Sequence, residues 1–375
     1  MKVLMILSKY YLTDSRVQKE AQTLKENGHE VKIIVWDRKN KYLEKEKLKD
    51  IQVYRIKNKG LMKVLPNDLF RNPIWWRKAY KKAIYLKKKD FDYNIVHCHD
   101  LDTLQAGVLI KKKTGCKLIY DAHEIFGYMI HGSVSSFFVK IAFYLEKKLL
   151  KNVDFIITVN EKVKKYFENI SNVPITLVMN CKDLISKKYI PTKNKTFTVC
   201  YIGGLHRRRL FPQIVDALGT IENIKFVIAA KKEHFNIYNQ VKETANKYDN
   251  ANFLGEISSD KVISKTQASD VIIQPFDPKR KTAYFSTPNK LFEAMVCGRP
   301  IISTKGTNPG KIVEELNCGI TVDYDVDAFK DGVIHLRDNP QLCEKLGKNS
   351  LKAAIGKYNW EKQKKNLLDV YKKLG

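Results

Sequence analysis

An α/β fold of two doubly wound, Rossmann-like parallel-sheet domains is predicted by three observations. Short β-branched runs alternate with longer amphipathic segments along the chain. Strands separated by helices pair in parallel and are joined by right-handed crossovers. The alternation runs twice, broken once by residues 180–195 (NCKDLISKKYIPTKNK), which carry a proline and no clear period. The length of 375 residues fits two or three domains, at roughly 150 residues each. A hydrophobic content of 44% lets each half bury its own core, which excludes a mainly disordered chain.

The first run, KVLMIL, is a buried strand with its apolar stretch at Val3 to Leu7, and a helix over 15–27 closes at Gly28. Glycine is the usual residue just past a helix end. Strands follow near 30–36, 51–56, 94–97, 117–120 and 155–159, with helices near 101–113, 135–151 and 161–169. The second series has strands near 196–202, 225–229, 252–254, 271–274, 300–303 and 320–322. Residues 358–374 form an amphipathic helix with Trp360, Leu367, Leu368, Val370 and Tyr371 on its apolar face. This helix either closes the second domain or crosses back to the first. The expected division is therefore 1–185, 186–357 and a terminal helix 358–375.

Several classes fall away. No run reaches the roughly 18 apolar residues of a membrane span. The N-terminus has one early lysine, a short apolar run and no small-residue cleavage site, so it reads as a strand rather than a signal peptide. The seven cysteines (98, 116, 181, 200, 297, 318, 343) are scattered, odd in number and contain no C-x-x-C. That pattern fits a reducing cytoplasm and neither a disulfide framework nor structural zinc. The turn after the first strand, YYLTDSR, is not the G-x-G-x-x-G fingerprint of dinucleotide enzymes.

Ligands of open parallel sheets bind at the carboxyl ends of the strands, and two such domains place a site at the cleft between them. In AYFSTPNKLFEAMVCG (283–298), Ser286 or Thr287 can cap a helix with Pro288 in its first turn. The N–H groups of such a start suit phosphate, helped by the helix dipole. Lys290 adds a point charge, and Glu293 can accept bonds from ribose hydroxyls. An ordinary capped helix with a surface lysine and glutamate fits the same residues. In YIGGLHRRRL, the run Arg207, Arg208, Arg209 follows a glycine turn; a guanidinium fork can donate two hydrogen bonds to phosphate oxygens, and a solvated charge run also fits. NIVHCHDLD places His99 and Asp100 in the loop after a strand, while His97 points within it as a core histidine. HCH has no second ligand pair at metal-site spacing. YDAHEIFG adds Asp121, His123 and Glu124 after the neighbouring strand, as acceptor contacts, proton acceptors or a capping network. Asp14 or Ser15 caps the first helix, with Arg16 near phosphate or acceptor.

STPNKLFEAMVCGRPIIST resembles the donor-binding segment of family 4 glycosyltransferases, which have the GT-B fold. DSRVQKEAQTLKENGHEV, NIVHCHDLD, LIYDAHE, TVNE, VMN, YIGGL, FLGEI and YNWEKQKKNLLDVY agree in order along the chain. The resemblance implies transfer of a sugar from a UDP- or GDP-linked donor to an acceptor hydroxyl, with retention and without a metal or other cofactor. The implied donor-binding set is Gly203, Gly204, Arg208, Arg209, Ser286, Thr287, Asn289, Lys290, Leu291 and Glu293. The implied catalytic set is His99, facing the transferred sugar, with Asp100, His123 and Glu124; Arg16 and Asp121 are implied acceptor contacts. Many relatives carry two glutamates eight residues apart, the second matching Glu293; the first falls at Phe285, which cannot accept a hydrogen bond. Pro288 lacks an N–H, which removes one possible diphosphate donor.

The formal charge is +28, from 68 Lys and Arg against 40 Asp and Glu. Residues 57–89 hold 11 basic residues and one acid, interleaved with Leu61, Met62, Leu65, Phe70, Trp75 and Trp76. Basic residues among aromatics suit an anionic membrane surface, and the aromatic stretch 125–150 suits a core helix or a lipid-tail site. Nucleic acid is excluded by the lack of a recognition motif. The resulting expectation is a cytoplasmic, peripheral membrane enzyme with a lipid-linked saccharide acceptor, serving cell-surface polysaccharide or glycolipid synthesis. Two alternatives are a GT-B-like nucleotide-sugar epimerase, and a non-catalytic relative that Phe285 leaves open.

Overall fold

The computed structural model describes residues 1–89 and 91–375, the side chain of Thr13 apart. The chain forms two compact units, Met1–Asn180 with Gln363–Gly375, and Cys181–Lys362.

The first unit follows the order β1 (Lys2–Leu7), α1 (Ser15–Glu26), β2 (Glu30–Asp37), β3 (Lys45–Leu48), β4 (Ile51–Lys57), α2 (Leu61–Val64), α3 (Asp68–Lys89), β5 (Ile95–His99), α4 (Leu101–Thr114), β6 (Lys117–Ala122), α5 (Phe126–Ile130), α6 (Ser136–Leu150), β7 (Phe155–Thr158), α7 (Glu161–Glu168) and β8 (Ile175–Leu177). Its sheet runs β3-β4-β2-β1-β5-β6-β7-β8. Every pairing is parallel except β3 against β4. Val3 to Leu7 are all fully buried, as expected of a central strand covered on both faces. Strand order reverses between β1 and its two neighbours, so the crevice beyond the ends of β1 and β5 is where such a sheet takes a ligand.

The second unit follows β9 (Phe197–Ile202), α8 (Gln213–Gly219), β10 (Ile224–Ala229), α9 (Phe235–Ala245), β11 (Ala251–Gly255), α10 (Ser259–Gln267), β12 (Val271–Gln274), α11 (Lys281–Phe285), α12 (Asn289–Val296), β13 (Ile301–Thr304), α13 (Asn308–Leu316), β14 (Gly319–Val322), α14 (Val326–Asp338) and α15 (Pro340–Gly356). The sheet order is β11-β10-β9-β12-β13-β14, all parallel, with the switch at β9. At Gly319 an added Cβ would lie 1.9 Å from the Ile301 carbonyl oxygen, so β13 and β14 pair only because this residue has no side chain.

The last helix, α16 (Trp360–Leu374), starts in the second unit and from Gln363 belongs to the first. Leu367, Val370 and Tyr371 are fully buried. Asn366 donates to the Leu177 carbonyl at 3.0 Å, and Gln363 accepts from the Met179 N–H at 3.0 Å. Of the two courses open to this helix, crossing back is the one taken.

Two features depart from expectation, and a third, α6, settles between two expected readings. The short strands β3 and β8 carry weak apolar patterns. The basic segment contains the 22-residue helix α3, whose buried stripe of Trp75, Ala79, Ala83 and Leu86 is easily missed because half of it is alanine. Trp75 is fully buried, and both Trp75 and Trp76 donate their indole N–H to the Asp102 carbonyl, at 3.2 and 2.7 Å. These two rings therefore anchor the helix inward and are not free to enter a membrane. In α6, Val139, Ala142, Glu146, Leu149 and Leu150 are buried, which makes it a core helix; Phe137, Ile141 and Tyr144 face outward.

Candidate active site

In the first unit, β5 and β6 pair with His99 opposite Asp121. In-register neighbours of a parallel pair present their side chains to the same face, as do residues two apart on one strand. His97, His99 and Asp121 therefore share a face, and α1 lays Arg16 and Glu20 over it. The expected loop position of His99 needs correction. It is the last residue of β5 and is completely buried.

Asp14 caps α1 by accepting from the Val17 N–H at 3.2 Å. This cap starts the helix so that Arg16 and Glu20, one turn apart, both face the sheet. Arg16 donates from Nε to Glu20 at 2.9 Å, from Nη1 to the Val178 carbonyl at 2.5 Å, and from Nη2 to Asp121 Oδ1. The other oxygen, Oδ2, lies 3.2 Å from His99 Nδ1 and 3.3 Å from His123 Nε2. His99 Nδ1 and His123 Nε2 are themselves 3.3 Å apart. One carboxylate oxygen thus organises two imidazoles. Arg16 and Asp121, the expected acceptor contacts, are both buried and bonded to each other.

Burial pushes the Asp121 carboxyl up, but Arg16 and then His123 outweigh it and hold it well below the usual range. Burial opposes the charge of His123, yet Asp100 and Asp121 together raise it to about 9. His123 is consequently a cation at neutral pH. Burial, then its histidine neighbour, drops His97 to about 4. Burial and the Asp121 charge raise Glu20 well above its ordinary value. Glu20, His97, His99 and Asp121 offer ligand-type atoms within 4.8 Å of one another. The guanidinium of Arg16 already supplies a cation to both carboxylates.

Asp100 caps this cluster at a backbone cost. Its φ of 64° and ψ of 162° lie in a region essentially reserved for glycine. Its N–H donates to the Asp121 carbonyl at 2.9 Å. Its carboxylate accepts from the His123 N–H at 3.2 Å and from Lys9 Nζ at 3.1 Å. Strain of this kind persists only where the surroundings over-determine it, and it clusters at functional sites. Glu124 is exposed beside them.

In the second unit, the turn after β9 carries Gly203 and Gly204. A Cβ on Gly203 would lie 3.0 Å from Lys290 Nζ, so the bare backbone lets the lysine approach. Arg207–Arg209 is a single 3-10 turn, capped by His206. Arg208 is exposed. Arg209 folds back, donating to the Gly204 carbonyl at 3.0 Å and the Tyr201 hydroxyl at 3.1 Å, with its guanidinium 4.9 Å from the Phe276 ring.

α12 begins at Asn289, with Pro288 in the cap position and no side-chain cap, in contrast to the expected Ser286 or Thr287. Lys290 Nζ sits 3.5 Å over the Tyr201 ring, buried, and makes no hydrogen bond; Ser286 Oγ is likewise buried without a hydrogen-bond partner. Burial, then Arg209, pulls Lys290 well below an ordinary lysine. Leu291 is core. Glu293 pairs with Lys182 at 3.2 Å. Gln274 and Ser303 face each other in register on β12 and β13, fully buried with unpaired polar atoms.

Sequence reasoning missed Glu20, Lys9, Lys182, Gln274 and Ser303. Glu20 could have been found from its one-turn spacing to Arg16, and Gln274 as a polar end to the apolar run VIIQ.

Two family models match the chain consecutively: Glycosyltransferase Family 4 over residues 15–184 and Glycosyl transferases group 1 over 184–353. The chain belongs to glycosyltransferase family 4. It is similar to an uncharacterized glycosyltransferase of Methanocaldococcus jannaschii, 24% identical over 351 residues, spanning 87% of this chain and 85% of the relative. Among solved structures, sucrose-phosphate synthase from Thermosynechococcus elongatus matches with a TM-score of 0.80 at 18% identity, over 100% of this chain and 98% of the other. Anabaena HepE in complex with UDP-glucose matches at 0.72 and 12% identity, over the whole of both chains. At such identities these likenesses establish the shared fold, and the family-4 chain has the GT-B architecture of two parallel-sheet α/β domains.

Proposed function

We propose that this glycosyltransferase takes a nucleotide diphosphate sugar, UDP- or GDP-linked, and transfers the sugar with retention to a hydroxyl of a lipid-linked saccharide. The carrying observation is Lys290, a buried amine without a hydrogen-bond partner, beside Arg209 and the start of α12, which has no side-chain cap. A diphosphate would satisfy all three at once and restore the charge of the lysine. HepE, a fold neighbour, is described in complex with UDP-glucose, which is consistent with that ligand class. Glu293 then serves the ribose hydroxyls, with Lys182 orienting its carboxylate.

Chemistry rests on stabilising the departing diphosphate and on positioning, a scheme that uses no metal and no cofactor. In the first unit His123, cationic at neutral pH, donates a hydrogen bond to a substrate oxygen rather than acting as a base. Exposed Glu124 is the group left to receive the acceptor proton. His99 acts beneath His123 as its partner.

The acceptor is membrane-borne in this reading. Leu61, Val64, Leu69 and Phe70 are exposed around the start of α3, among Lys57, Lys59, Lys63 and Arg71. Basic residues near an anionic leaflet contribute about 1 kcal/mol each. No helix among the described residues is long and apolar enough to cross a membrane, so attachment would be peripheral, at the inner face of the plasma membrane.

The test is thermal stabilisation by a panel of nucleotide diphosphates and their sugars, without metal and then with magnesium. Ligand binding to the folded state raises the melting temperature. A selective rise with UDP or GDP sugars, abolished in Lys290→Met and Glu293→Ala, is expected. No rise with any member, at saturating concentrations and with vesicles of acidic phospholipid present, would sink the proposal. The anomeric configuration of the product, read by NMR, checks retention.

A further inference from the structure

Helices α3, α4 and α6 each link strands that run parallel, so all three run back from the carboxyl edge of the sheet to its amino edge. α3 packs on α4, and α4 on α6, which makes them one layer. Near their ends they carry the same short pattern: Tyr85 before Lys88 and Lys89, Leu109 before Lys112 and Lys113, Tyr144 before Lys147 and Lys148. Residues three and four apart share a helix face. Tyr85, Leu109 and Tyr144 are exposed, and so are the six lysines. None of the six has an ion-pair partner among the described residues. On α6, Phe137, Ile141, Tyr144 and Lys148 follow one another at helical spacing, a single outward stripe. Apart from Met1, Leu12 and Leu43, every exposed large apolar side chain described in the first unit lies between Leu61 and Tyr144, on these helices or the turns that lead into them.

Free acids are missing from the same face. Residues 61–89, 101–114 and 126–151 hold only Asp68, Asp102 and Glu146. Asp68 is bonded to Arg38 at 2.7 Å, and Asp102 lies 3.5 Å from the same guanidinium. Glu146 is fully buried against the Tyr120 and Tyr166 hydroxyls. Just past the helix ends, Asp92 pairs with Lys87 at 2.5 Å and Asp154 with Lys111 at 2.6 Å. Exposed acids return at α7, with Glu161 and Glu168. Helix stability does not ask for this arrangement. One cation near each helix end suits the dipole, and α12, α13 and α15 manage with no basic residue in the last turn. Packed helices lie about 10 Å apart, so lysines crowded on neighbouring ends repel one another at physiological salt.

We propose that the outer face of α3, α4 and α6 is a docking surface that lies flat on an anionic phospholipid leaflet, with Tyr85, Leu109, Phe137, Ile141 and Tyr144 entering the headgroup region and the lysines beside them on lipid phosphates. This deepens the membrane-borne acceptor proposed above and rests on it; there the contact was the start of α3, which becomes one corner of a larger face. A fluid leaflet asks for apolar depth and positive charge, without a fixed polar pattern. That is what each helix offers, and lysine stems reach from an apolar level up to phosphates. With the helices flat, the carboxyl ends of β5 and β6 stand beside the leaflet, held off it by one helix thickness, about 10 Å. A lipid-linked acceptor then reaches His123 and Glu124 with its saccharide while its tail stays in the bilayer.

The test is flotation of the full chain with vesicles of phosphatidylcholine, with and without phosphatidylglycerol. The natural chain should float with the acidic vesicles alone. Lys88→Ser, Lys112→Ser and Lys148→Ser together should weaken binding on the order of a hundredfold. Lys261→Ser, Lys345→Ser and Lys352→Ser, exposed lysines of the second unit that lower the net charge equally, should leave it nearly unchanged. Tyr85→Ser, Leu109→Ser and Tyr144→Ser together should weaken it roughly tenfold. All nine side chains are exposed, and an unchanged melting temperature verifies that each chain is folded. A natural chain indifferent to acidic vesicles overturns the inference, as does a second-unit triple that weakens binding as much as the first. So does an apolar triple that binds like the natural chain, the result expected if the face serves an acidic protein; a polyglutamate peptide retained by the natural chain and lost with the lysines would then identify that partner class. Stabilisation by a nucleotide sugar without vesicle binding sinks the docking face and leaves the reaction. Vesicle binding through this face in a chain that takes no nucleotide sugar does the reverse.

Discussion

Replacing Arg16 by methionine removes the one cation that three buried acceptors share. Its guanidinium serves Glu20 at 2.9 Å, the Val178 carbonyl at 2.5 Å and Asp121, and it is almost fully buried. Removing one partner of a buried ion pair typically costs about 3–5 kcal/mol, because the other charge stays behind unpaired. The orphaned carbonyl adds about 1–3 kcal/mol. Glu20 softens the loss, since burial and the Asp121 charge already raise its carboxyl, and His123 stays 3.3 Å from Asp121 Oδ2 as a partial counter-charge. The expected loss is therefore about 4 kcal/mol. Arg16→Lys keeps the charge but not the three-way fork, and should lose roughly half as much. Urea unfolding followed by tryptophan fluorescence reads the right unit, because Trp36, Trp75 and Trp76 all lie in Met1–Asn180. The pair also has a pH signature. The folded pKa of Asp121 is depressed, so its stabilising contribution is present above the unfolded value of 3.8 and is lost as pH falls through the folded value. The gap between the natural chain and the Arg16→Met chain should therefore close in acid, below about pH 4. A loss under about 1 kcal/mol at neutral pH, or a gap that ignores acid, would refute the view that this guanidinium neutralises the cluster.

Three other outcomes follow from the same geometry. His123 is raised from 6.5 to about 9, so its stabilising contribution is complete below 6.5 and disappears as pH climbs through 9. On the order of 3 kcal/mol at about 1.4 kcal/mol per pH unit should be lost across that window, and denaturant midpoints of His123→Gln should stay flatter there. Asp100→Gly and Asp100→Ala both delete the bonds to Lys9 and His123, but only glycine relieves a φ of 64°; the glycine chain should be about 1–2 kcal/mol the more stable in urea, with transfer lost in both. Gly319→Ala forces a methyl to 1.9 Å from the Ile301 carbonyl, so β14 should detach, and hydrogen exchange at Ile320 and Val322 should quicken.

The fold was legible because its signals are local. KVLMIL, the helix over Ser15–Glu26 and the run VIIQ each announce their element by period and by end residues. α3 was not, since Ala79 and Ala83 fill half of its buried stripe and the lysines between them dominate composition. Site residues on strand ends were legible for the same reason as the strands, so His99, Asp121 and His123 could be named together. Their state could not be. Whether Asp121 meets an acceptor or a guanidinium depends on how α1 lies across the sheet, and whether His97 is inert core depends on a tyrosine 274 residues away. Lys290 was read as a surface charge or a phosphate ligand. Its burial over Tyr201 comes from the Gly203 turn, which brings two distant segments into contact.

The return of α16 has a consequence for how the chain is made. Gln363–Gly375 packs into the first unit, yet Cys181–Lys362 is synthesised before it. A ribosome therefore finishes the whole second unit while the first still shows a bare apolar face where Leu367, Val370 and Tyr371 will dock. The phenol that meets His97 arrives with the final helical turn. A chain stalled anywhere in the second unit can have every residue of the histidine cluster and still lack the group that completes it. Synthesis and assembly are thus timed together: until the second unit has been made, the first presents an uncovered apolar patch where the last helix will dock.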